Sequence, residues 1–144
     1  MLASRKYTSV PASHSFDRPR PSAGISGLSP RVLLLDDDLL FCRLMCKIGA
    51  KRNMPVVSCQ SCEQFRDAAR WIPHDVAILD YYLDGNRTAR QIARDCPSRA
   101  LIIVSNDEAE LAIDNDWPPT VKIALSKAMG IAAILDAACA VSER

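Results

Sequence analysis

No stretch of this chain approaches the roughly 18 consecutive apolar residues of a membrane-spanning helix, so no spanning segment and no membrane partner is expected. The first thirty residues also lack the apolar core of a secretory signal, which points to a cytoplasmic protein. Excess charge is missing too. The net charge is +1, so no strong pull toward nucleic acid or an anionic surface follows. No internal repeat of a length that would build a solenoid is present. Cysteine is not scarce, at six residues, but only one CxxC occurs, Cys59-Gln-Ser-Cys62. A second pair that would complete a zinc site is lacking. Without a secretion signal the thiols are expected to be reduced.

What remains fits one ordinary domain. The chain has 144 residues, 49% hydrophobic and 24% charged, enough to bury a core. Residues 1–29 read as a flexible basic tail rich in Pro and Ser. Over residues 1–30, Arg5, Lys6, Arg18 and Arg20 stand against Asp17 alone, with four prolines. That composition disfavours a packed core. It also fits a transit peptide, although an unstructured extension is the plainer reading.

From residue 30 the pattern alternates strand and helix five times. Strands are expected at 31–35, from Val56, at Val76–Leu79, at Leu101–Val104 and at Val121–Leu125. The first helix should open at Asp38 and turn Phe41, Leu44, Met45 and Ile48 inward. Ser61 with Gln64 fits a capping box for a second helix to about Trp71, with Phe65, Ala68, Ala69 and Ile72 on its apolar face. Asp84-Gly85-Asn86 is a turn signal, followed by a short helix from Thr88 to Asp95. Asn106 or Asp107 could cap a helix containing Ala109, Leu111 and Ile113. Met129 to Val141 should form the last helix. Repeated βα units predict a parallel sheet with right-handed crossovers and helices on both faces.

Four polar positions sit at the carboxyl ends of these strands: Asp36-Asp37-Asp38, Asp80, Ser105 and Lys127. In an open α/β sheet such ends face one crevice, where ligands bind. Each piece alone has a plainer reading: a helix cap, a turn former, another cap, a solvated lysine. Together they bring carboxylates, a hydroxyl and an ammonium to one place. Magnesium prefers oxygen ligands, and clustered carboxylates without a cation raise one another's pKa. Aspartate is a nucleophile for phosphoryl transfer. Lys127, Ser105 and a metal would stabilise the phosphoryl oxygens.

These motifs carry a resemblance. Val32-Leu-Leu-Leu-Asp36-Asp37-Asp38, Val76-Ala-Ile-Leu-Asp80-Tyr-Tyr-Leu-Asp-Gly85, Ile102-Ile-Val-Ser105 and Leu125-Ser-Lys127 run in order through residues 30–144. That segment resembles the receiver domain of two-component response regulators, of the stand-alone, single-domain type. The resemblance implies a (βα)5 flavodoxin-like α/β fold with a doubly wound parallel sheet in the order 2-1-3-4-5. It implies Asp80 as phosphoacceptor, Asp37 as direct magnesium ligand and Asp36 as a supporting acid often acting through water. Asp80 itself and the Tyr82 backbone carbonyl would be further magnesium ligands, Ser105 the switch hydroxyl and Lys127 the family's lysine. It also implies a phosphoryl donor that is a histidine kinase or a histidine phosphotransfer protein. Self-phosphorylation from a donor and slow autodephosphorylation would then be the only catalysis. No DNA-binding or catalytic segment is seen after the last helix, so output through a protein contact, or service as a phosphate sink, is expected.

The chain departs from the family at four places. Ala124 replaces an aromatic residue of the fifth strand, and Ala128 replaces a proline held in a cis bond after the lysine. A cis bond before a non-proline costs roughly 3 kcal/mol, which leaves that loop's geometry open. Asn106 replaces a small residue after Ser105, and Asp84 replaces a proline. Two rivals follow: a receiver-like protein-binding module that is never phosphorylated, and a thiol redox protein using Cys59 and Cys62.

Overall fold

The computed structural model describes residues 29–83, 89–107 and 116–143. The 84–86 turn, Thr88 and the helix expected around 109–113 lie outside them, as does the tail apart from residue 29. The elements are β1 (Val32–Leu35), α1 (Leu39–Lys51), β2 (Val56–Cys59), α2 (Cys62–Trp71), β3 (Val76–Asp80), α3 (Ala89–Asp95), β4 (Leu101–Ser105), β5 (Val121–Ser126), a 3-10 turn (Lys127–Met129) and α4 (Ile131–Ser142). All strand pairs are parallel. The sheet order is β2-β1-β3-β4-β5, the doubly wound order expected.

Alternation along the strands divides the core into two halves. Leu33, Leu35, Ala77, Leu79, Leu101 and Ile103 face Phe65 and Ala68 of α2 and Ile92 of α3. Val32, Leu34, Val76, Ile78, Ile102 and Val104 face Cys42 and Met45 of α1 and Ile134, Leu135 and Ala138 of α4. Both faces of the central strands are therefore covered, which is why β1, β3 and β4 are buried at every position.

Local signals explain the helix ends. The Asp38 side chain caps α1 by accepting the Phe41 N–H at 3.1 Å. Ser61 Oγ accepts the Gln64 N–H at 3.2 Å, while Gln64 Oε1 accepts the Gln60 N–H at 2.8 Å. The box therefore closes one residue further out than its usual form. The chain leaves α1 through Asn53, at φ 59°. Two expectations need correction. Leu44 is 39% exposed, and Cys42 and Gly49 share the buried face with Met45 instead. Met129 belongs to a 3-10 turn, and α4 starts only after Gly130, whose φ of 98° favours glycine.

Candidate functional site

Three neighbouring strands deliver the site. Asp36 follows β1, Asp80 ends β3, and Ser105 ends β4, where the Tyr81 N–H bonds the Val104 carbonyl at 2.7 Å. Lys127 opens the turn after β5. Ser126 Oγ accepts the Ala128 N–H at 3.0 Å and so directs the chain at the lysine. No cis bond occurs among the described residues, so the Lys127–Ala128 bond is trans.

The lysine is the centre of the site. Its Nζ lies 2.6 Å from Asp36 Oδ2 and 3.2 Å from Asp80 Oδ1, with its side chain only 10% exposed. Asp36 is fully buried. Its Oδ1 accepts the Asp38 N–H at 2.9 Å. Its Oδ2 has the lysine as close counter-charge but no hydrogen bond aligned on it. Asp37 is exposed, and one carboxylate oxygen from each of Asp36, Asp37 and Asp80 falls within a 4.8 Å group. The third acid of the run, Asp38, is spent on capping α1.

Burial pushes the Asp80 carboxyl up to about 6, with the Asp36 charge adding to it and Lys127 opposing. Burial also raises Asp36, against the pull of Lys127 and the Asp38 N–H. Burial works against the Lys127 ammonium, but the two carboxylates outweigh it and hold its pKa above the ordinary value. Two acids thus share one cation, and the cluster carries more negative charge than it neutralises. An all-oxygen set with a buried oxygen lacking an aligned donor fits a hard divalent cation such as magnesium.

Ser105 is buried, and its Oγ accepts the Asp107 N–H at 3.0 Å. Tyr82 follows in the exit loop of β3, with a 58% exposed side chain. One participant went unread in the sequence: the Phe41 ring, whose centroid lies 4.4 Å from Lys127 Nζ. Its signal is an aromatic in the first turn of the helix that starts at the acidic run. The setting of Cys59 and Cys62 weighs against thiol chemistry. Both are buried, and burial pushes the Cys59 thiol up to about 12, so it holds no thiolate near neutrality.

Five parallel strands in this order, with helices on both faces, define a flavodoxin-like α/β protein. Within that class the chain has the fold of response regulator receiver domains, the description most of the matching solved structures carry. A sensor protein from Polaromonas sp. JS666 matches 79% of this chain and 95% of its own, at 19% identity and TM-score 0.67. The receiver domain of the Francisella response regulator 1452 matches 81% and 98%, at 15% identity and TM-score 0.63. A CheY-like receiver domain protein from Methanospirillum hungatei JF-1 matches 81% and 95%, at 12% identity and TM-score 0.65. At such identities the likeness is one of fold. No family model matches the sequence, and no curated protein matches it. Among the described residues no helix is long and apolar enough to cross a membrane.

Proposed function

We propose that this protein is the phosphoacceptor in a two-component phosphorelay. An Asp80 carboxylate oxygen attacks the phosphorus of a phosphohistidine on a histidine kinase or phosphotransfer protein. The P–N bond breaks, the imidazole leaves and takes up a proton, and an acyl phosphate forms on Asp80. Water later cleaves the acyl phosphate. The observation that carries this reading is the Lys127 ammonium lying between Asp36 and Asp80 at the sheet's carboxyl edge.

The residues act on charge. Lys127 is already beside the nucleophile and would follow the phosphoryl oxygens as they arrive. Ser105, at the end of the adjacent strand, would donate its hydroxyl to one of them. Asp36, Asp37 and the Tyr82 carbonyl would hold magnesium, which supplies positive charge against the transferring group. Leu39 and Leu40, 50% and 65% exposed at the start of the helix that follows the acidic run, would offer the donor protein an apolar contact. The protein would work in the cytoplasm, where such donors present their phosphohistidine, and would signal by protein contact or drain phosphate from the relay.

Incubation with magnesium and acetyl phosphate tests the proposal. An acid-stable, hydroxylamine-labile adduct that is lost in Asp80→Asn is expected. Absence of an adduct in a correctly folded wild-type protein would leave the binding-module reading.

A further inference from the structure

The opposite edge of the sheet carries a second concave feature. A cleft of about 730 Å³ opens where the strands begin, between the end of α2 and the entries to β3, β4 and β5. That volume is typical of small-molecule sites. The cleft shares no residue with the acidic site.

Its charge is one-sided. Arg31, Arg70, Arg99 and Lys122 line it, and among the described residues Asp75 is its one acid. That acid is engaged: Asp75 accepts the Arg31 backbone N–H at 2.8 Å and binds the Arg31 guanidinium through both oxygens, at 3.1 and 3.0 Å. Arg70, Arg99 and Lys122 are left without a carboxylate from the cleft wall. Lys122 is also set out of the regular ladder. Leu101 pairs with Val121 and Ile102 with Ile123, so Lys122 is the extra residue of a bulge. Bulges re-aim side chains and are over-represented at sites. Its Nζ rests on the Pro119 carbonyl at 3.3 Å, a neutral partner that leaves the charge unbalanced.

The cleft also has an apolar rim and a fixed floor. Trp71, at the end of α2, is 74% exposed. It lines the same cleft as Arg70, Arg99 and Lys122. On the floor His74 Nδ1 bonds the Ile72 carbonyl at 2.8 Å, and His74 Nε2 pairs with the buried Ser98 Oγ at 2.5 Å. These bonds tie the α2–β3 loop to the entry of β4, so the cleft walls are held in place without a ligand.

We propose that this cleft binds a nucleotide, with Arg99 and Lys122 on the phosphates and the base stacked on Trp71. Cations and a flat ring at a polar cleft match a ligand with a polyanionic end and a planar end. The site is independent of Asp80 chemistry and stands or falls apart from it.

Isothermal titration calorimetry on the full chain tests this, with a chelator present so that no metal–nucleotide complex reaches the acidic edge. The probes are adenosine triphosphate, tripolyphosphate and adenosine. Saturable 1:1 binding of adenosine triphosphate is expected, weakened roughly tenfold by Arg99→Ala and by Lys122→Ala. Trp71→Ala should cost about fivefold or more for adenosine triphosphate and leave tripolyphosphate unchanged. All three residues are exposed, and unchanged melting temperatures would show that the variants fold. Absence of saturable binding would overturn the site. Tripolyphosphate binding as tightly as adenosine triphosphate, with no effect of Trp71→Ala, would overturn the nucleotide assignment.

Discussion

Lys127 faces two carboxylates and one aromatic ring, and those contacts set what substitution there does. The Phe41 ring lies under the ammonium at 4.4 Å, a cation–π contact worth about 0.5–1 kcal/mol at a partly exposed position. Phe41→Leu should therefore destabilise the protein by that amount beyond its packing loss, and the excess should vanish in a Lys127→Met background. A double-mutant cycle by urea unfolding reads the coupling. Asp80 carries a pH signature. Its pKa is about 6 in the folded protein against an ordinary 3.8. A raised carboxyl pKa means the folded state binds more protons, so its stabilising effect is full below about pH 4 and is lost as pH rises through about 6. Metal-free wild type should lose on the order of 1–3 kcal/mol between those limits relative to Asp80→Asn, as followed by denaturant melts. At this scale the acids and the lysine were legible because each directly follows an apolar strand-like run. Phe41 was not, because its contact depends on how the first turn of α1 lies across the end of the sheet.

Among the elements, two glycines separate close approach from backbone strain. A Cβ on Gly49 would stand 2.7 Å from both the Met54 carbonyl oxygen and a Val56 methyl. Gly49→Ala should therefore cost about 1–3 kcal/mol by overpacking against backbone that cannot yield. Gly130 has open space around its Cβ position and a φ of +98°. Gly130→Ala should cost about 1–2 kcal/mol through conformation alone. Thermal melts of the two variants check both. Helix and strand positions were legible from periodicity and caps, with Asp38 and Ser61 capping as their types predict. In α1, Phe41, Met45 and Ile48 pack on the core as expected; Leu44 was misread because it looks like core and Cys42 does not, yet Cys42 is the one that reaches the Asp36 carbonyl, at 3.2 Å. The 3-10 turn after β5 was hidden because Ser126, its cap, lies between the expected strand and helix, and Gly130, its end, falls inside the run read as helix.

For the whole molecule, the proposed magnesium site predicts that folding and metal binding are interdependent, because the acid there is buried and clustered. A ligand that binds only the folded state at a hundred times its Kd stabilises by about 2.7 kcal/mol, and magnesium should raise the melting temperature accordingly. In Asp37→Ala that gain should shrink by more than half. The metal-free variant should be more stable than wild type by up to about 1 kcal/mol, because the Asp37 charge helps to push Asp36 and Asp80 up. Melting curves with magnesium and with chelator decide it. The global topology was legible because alternating βα units leave few arrangements for a parallel sheet. The cleft at the far edge was not, since its walls join the end of α2 and its exit loop to separate strand entries with no common spacing.

Asp80 is the residue proposed to take the phosphoryl group. The most direct test is to phosphorylate the protein with acetyl phosphate and magnesium, reduce it with borohydride, and sequence the peptides by mass spectrometry. Borohydride converts an aspartyl phosphate to homoserine, and the account predicts homoserine at position 80 alone. Homoserine at position 36 or 37, phosphate on another residue type, or an unmodified position 80 would contradict it.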